Sequence, residues 1–151
     1  MQNVFDAKDA QEYINRINNL TPETQRKWGK MSVNQVLAHL NVAYDLTFMP
    51  EKFPKPSFIA KFLLSRFVKP KITNEIPYKQ SLPTSPVFII ADERNFEEEK
   101  AKLIGNIQRV QQLGREAFEG KENINFGKMT AQGWNNMFAK HLNHHLDQFG
   151  V

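Results

Sequence analysis

The sequence predicts an all-α fold, a four-helix bundle whose one long proline-rich crossover carries a short extra helix. Three observations predict it. Apolar residues recur at spacings near three and four in four separate segments. Seven of the eight prolines fall between Met49 and Pro86, and the one short apolar run outside the helical segments, Phe88 to Ile90, reads as a small extended piece that cannot make a sheet by itself. At 151 residues and 40% hydrophobic content the chain suits one core, so residues 1–151 are read as a single domain.

Asp6 caps a first helix that reaches about Leu20, with Val4, Phe5, Ala10, Tyr13, Ile14, Ile17 and Leu20 as its apolar stripe. Thr21-Pro22-Glu23 has the form of a cap followed by proline at the first helical position, which predicts a short helical turn up to Trp28, broken at Gly29. Ser32 and Gln35 have the spacing of a capping box and open a second long helix, which Pro50 ends at the latest. Its stripe is Val33, Val36, Leu37, Leu40, Val42, Ala43 and Leu46. The crossover follows, and in it Ser57 to Val68 (SFIAKFLLSRFV) is a short apolar helix flanked by Lys55, Lys61, Arg66, Lys69 and Lys71. Such a segment can lie on an anionic membrane surface, but a short helix apolar on most sides is more often buried, and a buried connecting helix is expected. Asp92 starts a third long helix, to about Glu119, with Glu97 to Lys100 on its solvated face. A loop from Gly120 to Lys128 leads to the fourth, Thr130 to about Gln148, where Trp134, Met137 and Phe138 are read as core.

Two segments repeat. Trp28-Gly29-Lys30-Met31-Ser32 resembles Phe126-Gly127-Lys128-Met129-Thr130, each an aromatic, Gly-Lys-Met, then a hydroxyl cap, and each precedes a helix containing a His-Leu pair. Gly-Lys-Met-Ser/Thr is no phosphate loop, since Met intervenes and the upstream glycine and strand are missing.

Composition narrows the chemistry. Without cysteine the chain has no disulfide, no thiolate metal site and no cysteine nucleophile. The formal charge of +4 comes from basic residues scattered along the chain, so no nucleic-acid partner is expected. No run of about 18 apolar residues spans a bilayer, and Met1 to Ala10 lacks the basic and apolar parts of a secretory signal, so no stable membrane insertion and a cytoplasmic location are expected.

The four histidines remain. His39 lies seven positions after its cap Ser32, and His141 and His145 lie eleven and fifteen after Thr130. At about 100° per residue these offsets fall within an arc of roughly 80°, so equivalent helix faces aim the three imidazoles into one space. His141 and His145, at i and i+4, stack on one face at a spacing suited to sharing a metal ion. Taken singly, His39 between Leu37 and Leu40 reads as a hydrogen-bonded core residue, and the pair as a chance surface feature. Together they read as a metal site of three neutral imidazoles with open coordination positions, as catalytic sites have. His144, at the rim or a dimer contact, Gln35 and Gln148 are candidates for orienting the ligands. No carboxylate is placed well enough to be named a general base, Glu12 being only a guess.

Ser32-Val-Asn-Gln-Val-Leu-Ala-His39-Leu and His141-Leu-Asn-His144-His145-Leu-Asp-Gln148-Phe-Gly resemble the two metal-ligand segments of the DinB/YfiT-like superfamily. The ending is most similar to a branch of domains of unknown function. The resemblance covers nearly the whole chain and implies a DinB-type bundle that binds a divalent ion through His39, His141 and His145. It further implies homodimers, and activity either as a transferase using a low-molecular-weight thiol or as a metal-dependent hydrolase. The expected function is therefore a metal-dependent enzyme, with Zn or Ni, acting on small electrophilic substrates. The alternative is a non-catalytic bundle that acts through a partner and keeps a vestigial or structural metal site.

Overall fold

Ser32 opens the helix on which the molecule is centred. Its hydroxyl accepts from the Gln35 amide at 3.3 Å, and the Gln35 side-chain oxygen accepts from the Ser32 amide at 3.0 Å, so the capping box of the sequence is formed on both sides. The computed structural model describes all 151 residues. The helices are α1 (Ala7–Asn18), α2 (Val33–Phe48), α3 (Phe58–Leu63), α4 (Lys69–Thr73), α5 (Phe96–Leu113) and α6 (Ala131–Phe149). Short 3-10 turns at Pro50–Lys52, Pro86–Phe88 and Arg115–Phe118, a π turn at Leu64–Val68 and one antiparallel hairpin, β1 (Glu122–Asn123) with β2 (Gly127–Lys128), complete the chain, which is otherwise all-α.

Burial follows the stripes. α1 turns Ala10, Tyr13, Ile14 and Ile17 inward, and α5 turns Phe96, Leu103, Ile107 and Val110. α2 and α6 are buried on most sides, α2 packing along α5 and against α6, while α1 packs against α5 and touches α6. Trp134, Phe138 and Phe118 interlock with Tyr44, whose ring stacks on Phe138 at 4.7 Å. Trp134 and Phe138 are thus core, as read, and Met137 packs against it partly buried.

The repeated segments share a local geometry. Gly29 and Gly127 both have positive φ, at 80° and 67°, a conformation in which a side chain is strained. Ser32 and Thr130 then cap through their hydroxyls, Thr130 accepting from the Gly133 amide at 3.1 Å. Both segments are helix starts.

Several expectations are corrected. Thr21 to Trp28 forms only a turn, because the Thr24 hydroxyl takes the Thr21 amide at 2.8 Å and holds the chain in a local loop. The third long helix is shorter at both ends than Asp92 to Glu119: Asn95 caps it through the Glu98 amide, Asp92 being turned to Arg94, and Gly114 at φ 71° ends it. Its predicted solvated face is interrupted at Glu99, half-buried and accepting from the Asn41 side chain at 2.8 Å. Phe88 lies in a 3-10 turn and Ile89 beyond it, not in a strand, and the Gly120 to Lys128 loop contains the hairpin. The largest correction concerns Ser57 to Val68. Ser57 does cap a helix, but Phe58, Ile59, Phe62 and Phe67 are exposed, so the segment is not a buried connector. It also continues past Pro70: a π turn at Leu64–Val68, in which the Lys69 amide reaches back to the Leu64 carbonyl, precedes the proline and leaves room for its ring.

Candidate metal centre

α2 and α6 lie side by side with their histidine faces opposed. His39 projects from the middle of α2 and is 4% exposed; His145, from the last turns of α6, is 7% exposed, and His141 one turn earlier is half-buried. One ring nitrogen from each lies within 4.8 Å of the other two. The Nε2 atoms of His39 and His141 are 2.9 Å apart, close to the roughly 3 Å separation of nitrogens that share an ion at 2.0–2.1 Å. The three rings meet edge to face, with centroids 4.6 to 5.0 Å apart.

The remote nitrogens decide which atoms are free. His39 Nδ1 is 2.8 Å from the Phe88 carbonyl oxygen, which can only accept, so the proton of His39 sits on Nδ1 and the lone pair on Nε2. His145 is fixed in the same way by Gln148, whose Oε1 accepts from Nδ1 at 2.8 Å. The amide of Gln148 is itself oriented, because its Nε2 donates to the Trp28 carbonyl at 2.8 Å. A carbonyl behind each imidazole is the usual way a protein sets the tautomer and direction of a metal-binding histidine. Burial supplies the other requirement. It lowers the basicity of His39 and His144, pushes His145 down to about 3, and holds His141 well below the ordinary imidazole range, so all are neutral at pH 7. The neighbouring imidazoles add to the lowering at His141 and His145.

These three residues fit a divalent ion by donor type, spacing and protonation, and this buried three-histidine group can hold one. No carboxylate belongs to the group, so an ion there keeps its full charge and favours anionic ligands at its remaining positions.

The profile of a family described as "Protein of unknown function (DUF1569)" matches residues 2–150. The chain belongs to the DUF1569 family. No curated protein and no solved structure matches it.

The other candidates of this DUF1569 chain take different places. Gln148 stands behind His145. His144 lies outside the group; its ring packs edge-on against Trp28, Tyr78 and His145 and lines a cavity of about 330 Å³ together with Trp28, Tyr78, Lys140, Asn143 and Asp147. Gln35 has no hydrogen bond to a histidine, since its side-chain oxygen closes the capping box. Glu12 is exposed on α1. Three contributors carry no motif that a sequence shows. Phe88 acts through its backbone oxygen, and its ring also covers His39 and His141 at 5.3 and 5.9 Å. Trp28 acts through its carbonyl. Lys140, 3% exposed, donates to the Lys71 carbonyl and Asn74 Oδ1 and sits 4.5 Å over the Tyr78 ring, with burial lowering its basicity.

Proposed function

We propose that this protein is a divalent-metal-dependent enzyme, a four-helix bundle of DinB/YfiT type, acting on small electrophilic substrates as a thiol-dependent transferase or a hydrolase. The observation that carries the proposal is the convergence of His39, His141 and His145, with carbonyl oxygens fixed behind two of them. Three neutral donors favour an ion with open positions, and Zn or Ni suits imidazole. Such an ion supplies the Lewis acidity that makes water or a low-molecular-weight thiol nucleophilic near neutral pH.

The chain's own residues define the rest. Phe88 and Gln148 hold the Nδ1 protons of His39 and His145 and so keep both Nε2 lone pairs directed inward. The Phe88 ring shields the group from bulk water on the crossover side. The cavity at His144 offers the aromatic walls of Trp28 and Tyr78 to the body of a small substrate, with the Lys140 amine held against the Tyr78 ring by its own hydrogen bonds. With no cysteine in the chain, a transferase needs an added thiol, whereas a hydrolase turns over with water alone.

A second proposal, a non-catalytic bundle that holds metal and acts through a partner or as a homodimer, draws on one observation: the cavity is lined by His144 and not by the three converging histidines. Elemental analysis of untagged protein separates the proposals at the first step. Near-stoichiometric divalent metal, lost in both His39→Ala and His145→Ala, is the expected result, followed by turnover of electrophiles screened with and without thiols. A metal-filled protein inert across that panel favours the partner-binding bundle; a wild type that is empty and refuses added Zn and Ni overturns the metal site itself.

A further inference from the structure

Between Lys52 and Asn74 the chain carries six cations, Lys52, Lys55, Lys61, Arg66, Lys69 and Lys71, and no carboxylate. Over the same stretch Phe58, Ile59, Phe62, Leu63, Phe67 and Val68 face solvent, from 36% exposed at Val68 to 86% at Phe58. Exposed apolar residues scattered singly are ordinary, whereas six within eleven positions form a patch that marks an interaction surface. The π turn helps to gather them. On a regular helix Phe67 lies about 180° from Phe58, and the wider winding of Leu64–Val68 swings it back toward Ile59 and Leu63.

The other side of this segment is firmly attached. Leu64 and Ile72 pack on the core, and Lys61 pairs with Glu122 at 2.8 Å. The Thr73 carbonyl accepts from Asn136 and the Lys71 carbonyl from Lys140, each at 2.7 Å. Lys69 donates to the carbonyls of Phe126 and Lys128. The outward face is therefore held in place while it is left uncovered. Lys52, Lys55, Arg66 and Lys71 take part in none of the ion pairs of the molecule.

We propose that this face docks on an anionic lipid surface, with Phe58, Phe62 and Phe67 entering the headgroup region and Lys55, Arg66 and Lys71 meeting lipid phosphates. Aromatic side chains on a short helix rimmed by cations match the requirements of interfacial binding, in which apolar burial and attraction to anionic lipid act together. No helix is long and apolar enough to cross a membrane, so the association is peripheral. Charge also discriminates against a second copy of the chain. In a two-fold interface a patch meets itself, and here Lys55, Arg66 and Lys71 would face their own copies, the carboxylate at the patch, Glu122, being already paired with Lys61.

Flotation of the 151-residue chain with vesicles tests the proposal, using phosphatidylcholine alone and phosphatidylcholine with about one third phosphatidylglycerol. The chain is expected to float with the anionic vesicles only, and to be released near 1 M salt as the screening length shortens to about 3 Å. Phe58→Ser combined with Phe62→Glu, and separately Lys55→Glu with Arg66→Glu and Lys71→Glu, should each weaken binding about tenfold or more. These positions are exposed, and circular dichroism confirms that the helices persist. Wild-type protein that floats with neither vesicle, or equally with both, overturns the proposal. So does self-association in sedimentation that Phe62→Glu abolishes while vesicles go unbound, which would assign the face to a second copy.

Discussion

His145 joins two environments that pull on one proton. Burial makes its charged form costly, while the Gln148 oxygen at 2.8 Å holds the neutral ring with its proton on Nδ1. In the unfolded chain the same side chain titrates near 6.5, and in the folded, metal-free chain near 3. The unfolded state therefore binds more protons between those values. Stability is fully present above about pH 6.5 and falls as pH drops toward 3, by about 1.4 kcal/mol per pH unit for each histidine that takes up a proton only on unfolding. His39 and His141 are lowered too and act in the same direction. Urea titrations of chelator-treated protein at pH 7, 6 and 5 check this. A midpoint that does not move would mean that the histidines are not held neutral by the fold. At this scale much was legible in the sequence: the convergence of the three histidines by spacing and the place of Gln148 by its face. Phe88 was not, because a backbone carbonyl has no side-chain signature.

At the scale of elements, the Trp28 to Ser32 segment does more than start α2. A Cβ on Gly29 would lie 2.5 Å from Gln148 Nε2, and the φ of 80° already excludes most side chains. The bare glycine lets the Trp28 carbonyl reach the Gln148 amide, and Gln148 in turn aims His145. Gly29→Ala should consequently resemble Gln148→Leu, each weakening metal affinity about tenfold or more with the ligands untouched. Competition against a chromophoric chelator measures this, and Gly127→Ala, whose Cβ meets only Lys61 at 3.9 Å, separates backbone strain from the effect on the site. If Gly127→Ala weakens metal binding equally, the coupling through Gln148 fails. The long helices were legible because their stripes match helical geometry and their caps are explicit. The α3 segment was misjudged for an instructive reason: apolar composition alone cannot say which side a short helix shows to water, and its neighbours decided that.

Across the whole molecule, the three histidines come from the second and the last long helices, and His39 also holds the crossover through Phe88. A shared ion would then act as a removable rivet in a chain that has no covalent cross-link, its strength set by supply. Free metal at about a thousand times its dissociation constant adds about 4 kcal/mol, and near that constant almost nothing. The region to loosen first is the stretch from Glu75 to Ser85, which precedes Phe88 and is exposed except at Tyr78. Trypsin should therefore cut after Lys79 faster once metal is chelated, and slower again when it is restored; equal rates would show that the crossover is held without it. An ion held in this way would tie the lifetime of the protein to the metal economy of its surroundings.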